Sequence, residues 1–261
     1  MSFQYEVILD GIQACILVFC RVGGMIFFNP LLSRRNVPAA ARVGLVLFAS
    51  LIITPTLQNT YGAIAEMDTF ELLFAMTSEL LIGMTCGVLF QIYYYMLFMV
   101  GDMIDMGFGL SMAKTFDPTT SLQISLSGNL FQFIFIMYFF ASGSHLIFLR
   151  LINASYDIVG IGAINFGENV AGFMLTAFLS VFSLAMHLAL PFLAASFVLE
   201  MSMGLLMKLI PQISIFTIHF QLKMLFGFSL LFLFAGPVGE FVERYINEMM
   251  LSLQGLLQAA A

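Results

Sequence analysis

Charge is what this chain most lacks. Only 9% of its 261 residues are Asp, Glu, Lys or Arg, while 61% are hydrophobic; a soluble domain carries roughly a quarter charged residues. That balance excludes an ordinary soluble fold and puts the chain in the membrane class. A crossing helix needs about 20 mostly apolar residues, and the charge-free runs 80–101, 118–149 and 169–199 all reach that length. The remainder holds three more spans and no soluble domain.

Basic residues are scarce and scattered. There are nine Lys and Arg against fifteen Asp and Glu, for a net charge of −6. No Lys/Arg cluster with interleaved aromatics occurs, so nucleic acid is not an expected partner. The first twenty residues carry Glu6 and Asp10 but no basic residue before Arg21. The charged start of a cleavable secretion signal is therefore missing, and the first hydrophobic block is expected to be retained. Cys15, Cys20 and Cys86 show no CxxC spacing and no nearby His, which leaves them as small packing residues. His145, His187 and His219 fall in different blocks and make no metal trio. With no Ser–His–Asp arrangement and no Gly-rich phosphate loop, the sequence predicts neither an enzyme nor a bound cofactor or metal.

What is present is hydrophobic and helical. Six blocks can be drawn at 11–33, 43–58, 72–100, 124–149, 171–207 and 213–236, followed by an amphipathic stretch from Glu240. Barrel-type alternation is absent, and in hydrocarbon only helices or closed barrels satisfy the backbone. The expected fold is all-α, multi-pass helical hairpins forming a single unit over 1–261, with no strong internal repeat. Basic residues stay on the cytoplasmic side. Six crossings with the N-terminus outside put Arg34, Arg35, Arg42, Lys114 and Lys208 inside, and only Arg150 and Arg244 outside. The block 171–207 is about 55 Å long as one helix, against a bilayer core of about 30 Å. Pro191 is where it would kink or turn back.

Several charges lie where lipid is expected: Arg21, Glu79, Glu200 and Lys223 within blocks, with Asp102 and Asp105 three apart at the end of the third. A lone charge at the bilayer centre costs about 2.5–3.5 kcal/mol on insertion scales, so these cannot all face lipid. Three readings stand: pairing with one another or with partner subunits, a proton relay through Glu79, Asp102 or Asp105, or blocks that leave the bilayer on assembly. Met96, Met99, Met103 and Met106 recur at spacings of three, four and three along one helix face. They serve either as packing and lipid contact or as an adaptable seal, since Met fills irregular gaps.

That stripe runs into GFGLSMAKTFDPTT at 107–120. Gly107 and Gly109 break the helix. Pro118 biases Asp117 away from helical geometry, so the next helix starts beyond it, with Thr119, Thr120 or Ser121 as its cap. Between the breaks lie Leu110, Ser111, Met112, Lys114 and Phe116.

Three strings carry a resemblance: Arg34-Arg-Asn-Val-Pro-Ala-Ala-Ala-Arg-Val-Gly-Leu45, then Gly101-Asp-Met-Ile-Asp-Met-Gly-Phe-Gly-Leu110 leading to Phe116-Asp117-Pro118, and Gly204-Leu-Leu-Met-Lys-Leu-Ile-Pro-Gln-Ile-Ser-Ile-Phe216. Together, over residues 15–245, they resemble the FliR family of the flagellar type III export gate, shared with virulence injectisomes. Gln221 stands where family members commonly have Pro. The resemblance implies a hetero-oligomeric helical gate with FliP and FliQ, FlhB and FlhA close by, in the bacterial inner membrane at the flagellar basal body. It further implies that unfolded flagellar proteins are the cargo. Residues 107–118 would line the channel as its plug. The alternative from the residues alone is a proton-coupled small-solute carrier using Glu79, Asp102 and Asp105; a membrane scaffold without a conduit is a third.

Overall fold

In the computed structural model the described residues are 2–33, 37–60, 64, 67–112, 125–162, 168–209 and 215–261. They form eight α-helices: α1 (Ser2–Phe27), α2 (Ala39–Ile53), α3 (Thr69–Gly107), α4 (Leu126–Ala141), α5 (Ser144–Ile158), α6 (Glu168–Leu209), α7 (Ile215–Leu233) and α8 (Ala235–Ala260). Short 3-10 turns follow α2 and α3, at Thr54–Thr60 and Leu110–Met112. No strand occurs among the described residues, so the all-α expectation holds.

By length and apolarity three helices can cross a membrane, or up to five spans if each of two broken pairs counts as one. The first stretch, Gly11–Phe27, is apolar but shorter. Together with Gly11–Phe27, these five correspond to the six hydrophobic blocks expected from the sequence. Of the two alternatives at Pro191, a kink or a turn-back, the turn-back does not occur, because α6 runs unbroken through it for 42 residues. Ala189 and Phe192 on either side are buried, and their packing holds the helix where the proline removes one backbone donor. The run 124–149, by contrast, is not one helix. It breaks at Gly143, whose φ of 77° suits a residue without Cβ.

The chain divides into two compact units: Met1–Ile92 with Gly143–Phe178 and Glu248–Ala261, and Tyr93–Ser142 with Leu179–Asn247. In the first, α1 crosses α3 at glycines. A Cβ on Gly24 would stand 2.7 Å from the Leu80 carbonyl oxygen and the Met84 nitrogen, so the helices meet backbone to backbone as small residues allow in membrane proteins. Ala14, Leu17, Ile64 and Ala75 form a small apolar core beside this crossing.

The second unit is packed with aromatics. Tyr94 and Phe135 meet edge to face at 5.7 Å, Phe135 stacks on Phe139 at 6.2 Å, and Tyr93 meets Tyr245 at 5.1 Å. The Tyr245 hydroxyl donates to the Tyr93 carbonyl at 2.8 Å, which gives the ring its hydrogen bond without water. On α8 the apolar residues Val238, Val242, Tyr245, Ile246, Met249 and Leu253 are buried, while Glu240, Glu243 and Arg244 are exposed. The expected amphipathic C-terminal helix is present, starting at Ala235.

Candidate functional site

The segment that ends α3 is built by a backbone stop. Gly109 takes φ 75°, and the Phe108 and Gly109 amides donate back to the Ile104 and Met106 carbonyls at 3.0 and 3.3 Å. A left-handed glycine just past the last helical residue is how many α-helices end. The break expected at Gly107 and Gly109 therefore falls there. Gly107 sits against α6, where a Cβ would be 3.1 Å from Ser196 Oγ.

α7 supplies the seat for this turn. Phe108 is fully buried, lying over Gly227, where a Cβ would come within 2.7 Å of its ring. Its ring centroid is 6.4 Å from that of Phe226. A Cβ on Gly109 would lie 3.6 Å from the Phe220 ring and 3.9 Å from the Lys223 stem. Lys223 forms an ion pair with Glu200 of α6, so two charges picked out singly in the sequence meet within one chain. The Glu200 side chain is 50% exposed, so the pair lies at the surface of the chain rather than in its core. Leu110 is buried, and the buried Ser111 hydroxyl has no hydrogen-bond partner among the described residues. Met112 closes the 3-10 turn. Lys114, Phe116, Asp117 and Pro118 lie outside the described residues, as do Arg34 and Arg35.

The far stem of the connector is a second built feature. α4 is capped by Ser125, whose side-chain oxygen accepts the Gly128 amide at 3.0 Å. Thr119, Thr120 and Ser121, the caps expected from the sequence, lie outside the described residues. Asp105 reaches this end of α4 and is buried. It accepts the Ser125 hydroxyl at 2.7 Å and the Ser127 amide at 3.2 Å. Asp102, three residues earlier, is only half-buried, so the two carboxylates do not share one environment. The methionines differ likewise. Met96 is buried, Met103 is half-buried, and Met99 and Met106 are 45% and 61% exposed. The stripe turns from the packed side of α3 to its open side, with Met106 exposed just before the break.

Arg21 and Glu79 occupy the other compact unit. Both are 0% exposed, and they pair through two bonds, Nε to Oε2 at 2.5 Å and Nη2 to Oε1 at 2.9 Å. The guanidinium also donates to the carbonyls of Ser155, Val159 and Gly160 at 2.8, 3.0 and 3.3 Å. It lies 4.3 Å from the centre of the Tyr156 ring. These carbonyls lie at the negative C-terminal end of α5, where a cation is favoured, and that of Ser155 also accepts the Val159 amide at 2.9 Å. Glu79 Oε1 accepts a further bond from the Gly162 amide at 3.0 Å. Two buried charges are tolerated when each is paired and its remaining valences are hydrogen-bonded, as they are here.

Sequence reasoning missed Ser125, Ser127, Tyr156, Phe220 and Gly227. Ser125 had only a weak signal, since it is one of several Ser and Thr residues that precede the apolar run beginning at Leu130. Tyr156 and Phe220 had none, because aromatics are common throughout this chain.

Residues 12–249 match the family described as "Bacterial export proteins, family 1". The chain is 26% identical over 253 residues to flagellar biosynthetic protein FliR of Bacillus subtilis, covering 96% of both chains. It is 27% identical over 229 residues to FliR of Escherichia coli, covering 88% of this chain and 87% of the relative. A virulence relative, Yop proteins translocation protein T of Yersinia pestis, is 25% identical over 222 residues, covering 84% and 80%. A match spanning α1 to α8, on a helical and apolar chain of the same length as its flagellar relatives, makes this protein a member of family 1 of the bacterial export proteins.

Proposed function

We propose that this chain is a non-enzymatic subunit of the type III protein export gate in the bacterial inner membrane, at the base of a flagellum. It assembles with FliP and FliQ, meets FlhB and FlhA, and passes unfolded flagellar proteins. The observation that carries this is the near full-length family match, residues 12–249, with relatives named both for flagellar biosynthesis and for protein translocation. The whole chain, 1–261, acts as one functional unit. In this reading residues 107–118 are the plug, and Met99, Met103 and Met106 form the soft surface beside it.

Two features support a sealing role. The described start of the segment, Phe108 and Leu110, is apolar and buried, and it is seated on Phe220 and Gly227 of α7. Packed aromatic and aliphatic groups exclude water and ions without chemistry. The solute-carrier reading gains nothing from the geometry, because Glu79 is held in a bidentate pair and Asp105 in a capping cluster.

Purification in mild detergent tests the assembly: FliP and FliQ should co-purify in several copies each, whereas a folded solitary protein that binds a small solute would end the proposal. Deleting residues 109–118 tests the plug. The complex should still assemble but leak potassium, and an intact complex with unchanged leak would refute that role.

A further inference from the structure

The two stems of the connector after α3 are held by unlike devices, and the second is a buried carboxylate. Asp105 is 1% exposed. Moving a carboxylate out of water is costly unless hydrogen bonds replace its hydration. Here the replacement comes from the far side of the connector, twenty residues on: the Ser125 hydroxyl at 2.7 Å and the Ser127 amide at 3.2 Å. The unpaired amides and positive end of a helix N-terminus suit this charge.

The surroundings make the joint rigid. Ser125 Oγ accepts the Gly128 amide at 3.0 Å while donating to Asp105, and Asn129 Nδ2 donates to the Ser125 carbonyl at 2.7 Å. One helical turn before Asp105, Gly101 lies directly on Gly128, with no room for a Cβ on Gly101. On Gly128 a Cβ would come within 2.8 Å of both Phe98 and Ser125 Oγ. α3 and α4 thus touch through their backbones, and the carboxylate spans the joint at their ends.

We infer that Asp105 is a positioning residue of the closing segment, tying the start of α4 to the end of α3 so that both stems of the connector leave from one fixed point. This rests on the plug reading above. Bringing two chain ends together restricts everything between them. With the tie cut, the first turn of α4 is no longer anchored to α3, and the seal loosens although nothing in it has changed.

The test uses the complete gate with its partners and measures two quantities, the amount of assembled complex and potassium efflux per assembled complex. Asp105→Ala should raise efflux per complex by roughly tenfold or more, the scale of losing hydrogen bonds to a buried charge. Ser125→Ala should raise it less. Asp105→Asn should fall between wild type and Asp105→Ala, because its oxygen still accepts the Ser127 amide. A purely structural residue would lower the amount of complex and leave efflux per complex unchanged. Wild-type efflux in Asp105→Ala and Ser125→Ala, alongside a leaking 109–118 deletion, overturns the tie and leaves the plug standing. A deletion that does not leak removes the plug reading and this inference together. If Asp105→Ala does not assemble, Ser125→Ala decides: a raised efflux supports the tie and an unchanged one refutes it.

Discussion

Removing either member of the Arg21–Glu79 pair should destabilise the protein unequally, and the geometry gives the order. Arg21 has acceptors besides Glu79: three α5 carbonyls and the face of Tyr156. Glu79→Gln therefore leaves a buried guanidinium that is still largely hydrogen-bonded, and its cost sits at the lower end of the ~3–5 kcal/mol typical of breaking a buried pair. Arg21→Met leaves a buried carboxylate whose remaining bond among the described residues is from the Gly162 amide, and it also takes the guanidinium from the Val159 and Gly160 carbonyls, while the Ser155 carbonyl keeps the Val159 amide. Its cost is expected at or beyond the upper end of that range. In the double variant Arg21→Met/Glu79→Leu no charge remains, so it should be more stable than the sum of the single losses by about 2 kcal/mol or more. The chain has no Trp, so thermal unfolding in detergent is best followed by far-ultraviolet circular dichroism. At roughly 2–4 °C per kcal/mol for chains of this size, the Arg21→Met shift should be on the order of 10 °C. Additive losses, or a Glu79→Gln cost above that of Arg21→Met, would refute the reasoning.

Gly109→Ala should cost about 1–2 kcal/mol for a left-handed backbone alone, since its Cβ would make only ordinary 3.6 Å contact with Phe220; the same melts detect it, and an unchanged midpoint counts against the assigned turn. Gly101→Ala meets backbone rather than a movable side chain, so the protein should fail to accumulate in membranes, as an immunoblot would show. Lys223→Met leaves Glu200 half-exposed on a helix long and apolar enough to cross a membrane, so a loss of about 2.5–3.5 kcal/mol, the insertion cost of an unpaired charge, is expected in the same melts. A loss below about 1 kcal/mol would mean that the pair faces water, where such pairs are screened.

How much of this was legible depended on sequence distance. Gly107 and Gly109 are adjacent breakers in an apolar run, and the α3 terminus falls there because backbone freedom is a local property. The amphipathic α8 was legible for the same reason, its buried residues recurring at helical spacing. The Arg21–Glu79 pair was not, since 58 residues separate its members and periodicity says nothing about which faces of two apolar helices meet. Nor was the unbroken course of α6 through Pro191, where packing by Ala189 and Phe192 outweighs a local breaker. The break at Gly143 had its signal in Ala141-Ser-Gly-Ser144, masked by the apolar composition on both sides. Asp105 was picked out as a charge, but its hydroxyl partner twenty residues on could be found only in three dimensions.

The cluster around Arg21 also sets a timetable for biogenesis. Glu79 follows Arg21 by 58 residues and the Ser155 carbonyl by 134. At roughly 5–20 residues per second, the ribosome delivers the first counter-charge about 3–12 s after Arg21, and the first of the carbonyl acceptors about 7–27 s after it. Until then the first hydrophobic helix carries a bare cation that hydrocarbon disfavours. Its full entry into the membrane interior must wait for segments not yet made, so the nascent chain needs a waiting place, at the interface or inside the insertion machinery, before it can close around its own charge.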